Sequence, residues 1–555
     1  MAISKLQEMI EVQVQDIGSY LMPAGSTAVD LLRRIDRNFK YPVTAVVIDN
    51  NLKDLHHVIE NSCQVELVDT ASEAGFRIYR RSATFMLLKA CHDLFHDRKL
   101  MIKHSLSNGM YCEFLDGPIS QADIIKIDRH MRKIVAANLP IRRMTVSKEN
   151  AREIFSRQGQ LDKVRLFEFR DKETVHIHEL DGFYEYFYGY MVPETGMVSK
   201  FALINYSPGI VLQTPETEHP DKIEPYIEQK KLATIYRETS DWVKMLDTPH
   251  VAALNDIIKS GRIFEIVRIN EALHAKKIAF IADEICKNHK TRLVLISGPS
   301  SSGKTTFAQR LQIQLKVNGK RPVSISLDNY FIDRELTPRD ENNDYDFEAL
   351  EALKIDLINE HLGRLIAGEE VEIPIYSFYK GRSENVGVPL RVAPGEPIII
   401  EGIHGLNDNL TWSIPQEQKF KIYISALTQL NIDYTNRIPT TDSRLIRRII
   451  RDSRTRGYSA LETLRRWPSV RRGENRNIFP FQEKADVMFN SSLVYELAVL
   501  KPFIEPLLTE ISSEVPEHVE ARRLLKFVSY FRAMTPDGIP PNSILREFIG
   551  DGWFK

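Results

Sequence analysis

Apolar positions along the chain follow two rhythms, and the rhythm changes part-way. Near the start, "IEVQVQ" and "YPVTAVVID" have strand character. Between them "STAVDLLRRI" takes helical spacing, with Ser26 read as its cap. These predict a small α+β module over residues 1–68. Residues 69–215 are mixed: "SATFMLLKACHDLF" has helical spacing, and "DGFYEYFYGYMV" is an aromatic-rich stretch. Residues 216–290 are charged and helically periodic, and predict a helical connector. From 291 short apolar strands ("RLVLIS", "PVSISL", "EPIIIEG", "FKIYIS") alternate with helices. Continuous apolar strands of this kind suit a parallel sheet buried on both faces, an α/β layout over 291–500. Residues 501–555 predict a mostly helical extension.

Composition adds limits. A chain of 555 residues is too long for one core. With 43% hydrophobic and 27% charged residues it is ordinary globular material. The formal net charge of -1 offers no global attraction to nucleic acid or anionic membrane, so any basic surface is local. Cys63, Cys91, Cys112 and Cys286 lie far apart with no C-x-x-C pair, which fits thiols in a reducing cytosol better than a zinc or disulfide framework. The first residues lack the order of a signal peptide, and no apolar run reaches membrane-spanning length. The reading is cytoplasmic, with no membrane partner.

The chemistry concentrates after residue 293. In "LVLISGPSSSGKTTFAQRL", Gly298, Gly303, Lys304 and Thr305 satisfy G-x-x-x-x-G-K-[ST], between an apolar strand and a helix. The backbone from Gly298 through Pro299, Ser300, Ser301, Ser302 and Gly303 to Thr306 would cradle the phosphates of ATP. Lys304 brings a point charge, and the Thr305 hydroxyl can ligate Mg²⁺. No N-K-x-D for guanine occurs, and no strand ends in Asp-Glu as in motor ATPases. Instead one strand ends with Asp328 followed by Tyr330, and another ends in Glu401. Strand ends face the ligand crevice of a parallel sheet, so one carboxylate can take a hydroxyl proton while the other serves Mg²⁺.

In "TDSRLIRRIIRDSRTRG", Arg444, Arg447 or Arg448, and Arg451 share a helical face. Residues 444–476 hold eleven arginines against Asp452, Glu462 and Glu474. A solvated basic helix or an RNA patch is the generic reading. Beside a phosphate loop, a lid closing over ATP is the preferred one.

The series "GPSSSGKTT", "SLDNYF", "NDYDFEAL", "IPIYSF", "IIIEG" and "TDSRLIRRIIRDSRTRG" resembles the uridine kinase and phosphoribulokinase family over about 291–495. The resemblance implies ATP-dependent phosphorylation of a hydroxyl on a small molecule, typically a nucleoside such as uridine or cytidine. By position it implies Asp328 as general base, Asp346 on ribose hydroxyls and Tyr376 against the base. It also implies Glu401 at Mg²⁺ and Arg444 onward over the ATP. Catalytic roles then fall to Asp328, Lys304 and Glu401, and ATP contacts to residues 298–306 with Arg447, Arg448 and Arg451. Substrate contacts fall to Asp328, Tyr330, Asp346, Tyr376 and Arg444, and metal ligation to Thr305 and Glu401. One departure stands out. Ser377 and Gly381 occupy positions where uridine kinases carry Asp and a base-reading His. Lys380 and Arg382 lie beside them, so a sugar phosphate is the alternative acceptor.

The N-terminal half resembles the front of threonyl-tRNA synthetases. "VTAVVIDNNLKDL" is similar to their β-grasp TGS domain (1–68). "GFRIYRRSATFMLLKACHDLF", "NGMYCEF" and "ANLPIRRMTVSKENAREIF" are similar to the α+β second additional domain (69–215). That domain's hydrolytic site uses two His and a Cys/His pair, but the matching positions here are Arg81, Phe85, Phe187 and Met191, which excludes editing chemistry. His92/His96 and His176/His178 have metal-like spacing away from those positions and read as packed or exposed histidines. The stripe Phe183, Tyr184, Tyr186, Phe187, Tyr188 and Tyr190 reads as a packed strand, with base stacking as the alternative. An RNA-binding protein with a nucleotide switch is the competing function. A tRNA contact and a homo-oligomer are the remaining partner expectations.

Overall fold

A computed structural model describes residues 8–341, 343–377, 379–428 and 430–554 of the chain. Residues 1–7 of the first expected module and Phe378 of "YSFYKG" fall outside them. In the first module the strands Gly18–Pro23, Met9–Val14, Cys63–Asp69, Val43–Ile48 and Asn51–Lys53 lie side by side in that order. Met9–Val14 and Cys63–Asp69 run parallel. The alternation seen in the sequence is the burial pattern: Ile10, Val12 and Val14 face inward with Leu31 of the helix Ala28–Arg34. The cap of that helix is Thr27, not Ser26. Thr27 N–H donates to Asp30 at 2.9 Å and its hydroxyl accepts from Asp30 N–H, a reciprocal box. Ser26 has Val29 three residues on and cannot close one.

Next comes the helix Glu73–Leu94, which begins well before the stretch expected from its spacing. Ser72 caps it by accepting from Gly75 N–H at 3.1 Å. A side chain at position 75 would meet the Asp69 carbonyl oxygen at 1.8 Å, so glycine lets the helix start against the preceding strand. Two antiparallel sheets follow. One orders Ala202–Tyr206, Gly209–Gln213, Gly109–Phe114 and Leu100–Leu106. The other orders Arg142–Ser147, Thr174–Leu180 and Phe183–Glu185. Helices Lys230–Met245, Val251–Lys259 and Ile263–Lys287 then lead to the second half. Among the described residues no helix is long and apolar enough to cross a membrane.

The second half is built on a parallel sheet ordered Val323–Ser326, Ile398–Glu401, Leu293–Ser297, Lys419–Ser425, Val487–Asn490. The first strand in sequence sits at the centre, with its successors first on one side and then on the other. That makes its C-terminal end the switch point where such sheets bind ligands. Beyond the helices Glu496–Thr509 and His518–Val528 the expected helical tail gives way to turns. Residues 529–545 hold one short 3₁₀ segment, because Pro536, Pro540 and Pro541 supply no backbone N–H.

The halves are not independent beads. One apolar core runs from Phe155, Phe167, Val175 and Ile177 through Ile278 and Ile281 to Val294, Ile296, Ile446 and Phe527. Where they meet, Lys163 is buried with Glu185 at 2.8 Å, Asp162 at 3.7 Å and Asp433 at 3.8 Å. Burial works against the ammonium, but the three carboxylates outweigh it and hold its pKa above the usual range. Burial also pushes Glu185 up to about 7 despite the lysine. Residues 431–434 complete the seam: Ile102 N–H donates to the Tyr434 carbonyl at 2.9 Å, and Asn431 donates to the Ile102 carbonyl at 2.7 Å.

Candidate active site

The loop after Leu293–Ser297 wraps the start of the helix Lys304–Val317. Its backbone needs its glycines. A Cβ at Gly298 would lie 1.9 Å from the Ile424 carbonyl oxygen, while Gly303 has φ +85° and would meet Ile544 at 2.6 Å. Among the described residues no partner meets the buried hydroxyls of Ser301 and Ser302. Lys304 folds back onto the loop, donating to the carbonyls of Gly298 (2.8 Å) and Pro299 (3.1 Å). Burial pulls its pKa down, partly offset by Glu401, Glu547 and Asp328.

Glu401 lies level with Ile296 and Ser326 in the strand register, and its carboxylate accepts from the Thr305 hydroxyl at 3.2 Å. Burial pushes Glu401 up to about 7; Lys304 opposes this, and the charges of Asp328 and Glu547 add to it. Asp328 is exposed at the same edge, just beyond Ser326. The neighbouring Tyr330 points the other way: its ring is buried and its hydroxyl meets His361 Nδ1 at 3.0 Å. It braces the strand end from behind.

The arginine helix, Thr440–Thr455, packs with several of its arginines buried. Arg444 is buried in a two-pronged pair with Glu474 and donates to the Ser300 carbonyl at 3.1 Å. Arg447 is buried against Glu496 and donates to the Ser491 carbonyl at 3.0 Å. Glu474 and Glu496 thus neutralise both guanidiniums, which also reach the loop carbonyls of Ser300 and Ser301. Arg448 reaches the Ser300 hydroxyl at 2.7 Å, and it shares Asp452 with Arg451. A feature invisible in the motif comes from the chain's end. The Glu547 carboxylate accepts from the Thr306 hydroxyl (2.8 Å) and backbone N–H (3.3 Å), at the first turn of the loop helix.

Residues 293–497 match the model of the Phosphoribulokinase / Uridine kinase family. The N-terminal half is similar to threonine–tRNA ligases. The chain is 31% identical over 202 residues to threonine–tRNA ligase 1 of Bacillus subtilis (strain 168), covering 36% of this chain and 31% of that protein. It is 32% identical over 199 residues to the threonine–tRNA ligase of Desulforapulum autotrophicum, with the same shares. The chain thus spans about a third of the length of these relatives. Similar solved structures include a possible uridine kinase from Bacillus stearothermophilus, at 16% identity, 39% of this chain, 98% of that one and a TM-score of 0.25. A putative fructose transport system kinase from Silicibacter sp. TM1040 gives 17%, 38%, 98% and 0.27.

Within the segment that matches the family model, Asp346 is drawn to Arg476 at 3.0 Å and also accepts from Glu348 N–H at 3.1 Å. Tyr376 is buried 5.6 Å from the Phe331 ring. Gly381 takes φ +69° and lies against Arg334, whose N–H donates to the Gly381 carbonyl at 2.7 Å. Arg334 is thus the side chain at the departing position, and nothing in the local motif announced it. Lys380 is paired with Glu384 at 2.9 Å, whereas Arg382 is exposed.

In the synthetase-like half, Phe85 and Phe187 meet edge-on at 5.8 Å, with Met191 buried in the same cluster. Arg81 reaches the Tyr190 carbonyl at 2.6 Å. Phe183, Tyr186 and Phe187 are buried, so the aromatic stripe is mainly packing. His92 stacks on Phe183 at 4.8 Å, and His176 bonds the Thr145 hydroxyl at 2.9 Å. Among the described residues no group of three or more His, Cys, Asp or Glu is arranged to hold a metal.

Proposed function

We propose that this protein is an ATP-dependent kinase that phosphorylates a hydroxyl of a small molecule, with a nucleoside-like acceptor as the leading class. The observation that carries this reading is the Thr305–Glu401 contact of 3.2 Å at the mouth of the glycine loop, on the sheet edge where Asp328 is exposed. Loop N–H groups and Lys304 would hold the phosphates, with Lys304 exchanging loop carbonyls for phosphate oxygens. Asp328 would accept the acceptor's hydroxyl proton as its oxygen bonds to the γ-phosphorus and the bond to the β–γ bridging oxygen breaks, releasing ADP. Thr305 and Glu401 are hard oxygen donors that fit Mg²⁺, which when bound neutralises developing charge on the phosphates. Arg448 and Arg451 are kept for the phosphate side, and Arg444 and Arg447 hold the loop's shape.

A sugar phosphate is the second reading, favoured by Arg334 at the Gly381 position and by exposed Arg382, since guanidinium groups suit an anionic acceptor. The synthetase-like half supports a tRNA contact as a further, separate role. Purified full-length protein with γ-labelled ATP, offered a panel of nucleosides and sugar phosphates, should transfer label to one acceptor class. Nucleotide-sensitive tRNA binding with no labelled acceptor would replace the kinase with an RNA-binding switch.

A further inference from the structure

A cleft of about 530 Å³ opens between the synthetase-like half and the helix His518–Val528, far in sequence from the glycine loop. Five separate stretches wall it: the strand Asn51–Lys53, the helix Glu73–Leu94, Arg143 of the strand Arg142–Ser147, residues 166–190, and the C-terminal helix. Its lining is strongly cationic. Three of its arginines are matched: Arg77 and Arg523 share Glu520, and Arg143 pairs with Asp54 at 3.3 Å. Six further cations, Lys53, Arg81, Arg170, Lys172, Arg522 and Lys526, have no carboxylate partner among the described residues. Where their hydrogen bonds are known they end on neutral oxygens: Arg81 on the Tyr190 carbonyl, Lys526 on the Tyr188 carbonyl at 3.0 Å, and Arg522 on Asn51 at 3.1 Å. Asp171 on the rim is the one other acid in the lining.

Holding so many like charges around one concavity costs free energy unless an anion shares it. The strain is visible at Lys526, whose pKa is pulled down to about 7 by burial and then by Arg170, Arg81, Arg143 and Lys172. The rings of Tyr188 and Tyr190 lie beside Arg81 and Arg143 at 5.9 and 5.0 Å, leaving a mixed aromatic and cationic wall.

We propose that this cleft is a second ligand site, separate from the glycine loop, that binds a small molecule carrying two or three linked phosphates. A di- or triphosphate brings three to four negative charges in a compact chain, which suits six unmatched cations arrayed around a cavity of this size. Free oligophosphate and the phosphate chain of a nucleotide share this chemistry. The C-terminal helix that supplies Arg522 and Lys526 also carries Arg523, which holds Asp442 of the arginine helix at 2.6 Å, so an occupied cleft would be mechanically joined to the loop's brace.

The test uses the full chain and inorganic tripolyphosphate, followed by calorimetry, with ATP as the parallel arm for the nucleotide source. Arg522→Glu/Lys526→Glu should weaken tripolyphosphate binding at least tenfold, while Lys304→Ala keeps it and Arg522→Lys/Lys526→Arg restores it. Acylation of Lys526 by an amine reagent, read by mass spectrometry, should be blocked by tripolyphosphate in the folded protein. Binding that disappears in Lys304→Ala and survives the double charge reversal would overturn the second site. Tight binding of a 20-nucleotide single-stranded RNA at the cleft, with no protection of Lys526 by tripolyphosphate or ATP, would also overturn it.

Discussion

The arginine helix Thr440–Thr455 and the cleft beneath helix His518–Val528 both concentrate positive charge, yet they balance it in opposite ways. Around the loop the guanidiniums meet carboxylates: Arg444 pairs with Glu474, Arg447 with Glu496, and Arg448, Arg451 and Arg456 share Asp452. In the cleft most cations are left to face one another. Abundance of arginine therefore says little about where an anionic ligand goes. Paired arginines shape a site, and unpaired ones wait for charge. The loop illustrates this, because its anion contact at Thr306 is already taken by a carboxylate of the protein, Glu547.

The sharpest break in the comparison is chemical. Asp328→Asn should cut label transfer by about 10²–10⁴-fold while ADP still binds, since only the proton acceptor is lost. Near-normal transfer would remove Asp328 as base. Next in size is the brace. Arg447→Met leaves Glu496 buried without its partner and should cost about 3–5 kcal/mol in a denaturant melt. Arg447→Met/Glu496→Leu should recover much of that loss. An undiminished midpoint in the single variant would mean that the pair does not hold the loop.

How far these elements could be read in advance follows from the distance over which they act. The glycine loop, four of the five parallel strands and the carboxylates at their ends depend on neighbours within a few residues and on strand polarity, and the spacing of apolar runs displays both; the edge strand Val487–Asn490 was too short to stand out. Thr27 rather than Ser26 as cap was also readable, through the Asp30 that answers it three positions on. The fates of the arginines were not. Whether Arg447 meets a nucleotide or Glu496 depends on a helix that begins only at Glu496, and Arg444 depends on Glu474 one helix away. Glu547 lies 241 residues from Thr306, with no local pattern to connect them. Arg334 at Gly381 likewise arises from two loops that fold together. Helical spacing detects a face, and only tertiary pairing decides what that face meets.

Glu547 offers an intermediate test of matched against unmatched charge. As a carboxylate on the first turn of the loop helix it would compete with a phosphate for the same N–H and hydroxyl. Glu547→Gln keeps an acceptor but removes the charge, so nucleotide affinity should rise about five- to tenfold. Titration with a fluorescent ADP analogue reads this directly. Weaker binding in the variant would instead make Glu547 part of the nucleotide's own contacts.

The smallest expected effect concerns pH. Glu401 has an ordinary carboxyl pKa when unfolded, and burial pushes it up to about 7 in the folded, ligand-free protein. A group whose folded pKa is raised contributes stability that is complete below about pH 4.5 and is lost as pH rises through about 7. Glu348 and Glu185, also pushed up to about 7 by burial, add to the same slope. The contribution of Glu401 is isolated by comparing the native chain with Glu401→Gln. Relative to the native protein, the variant's melting temperature should improve by a few degrees between pH 5.5 and pH 8, as the native carboxylate ionises in its buried site. A difference that stays constant across that range would mean Glu401 is already ionised at pH 5.5. The loop site would then carry a standing negative charge there, and the contrast with the unmatched cleft would be wider than the pairing of the arginines alone implies.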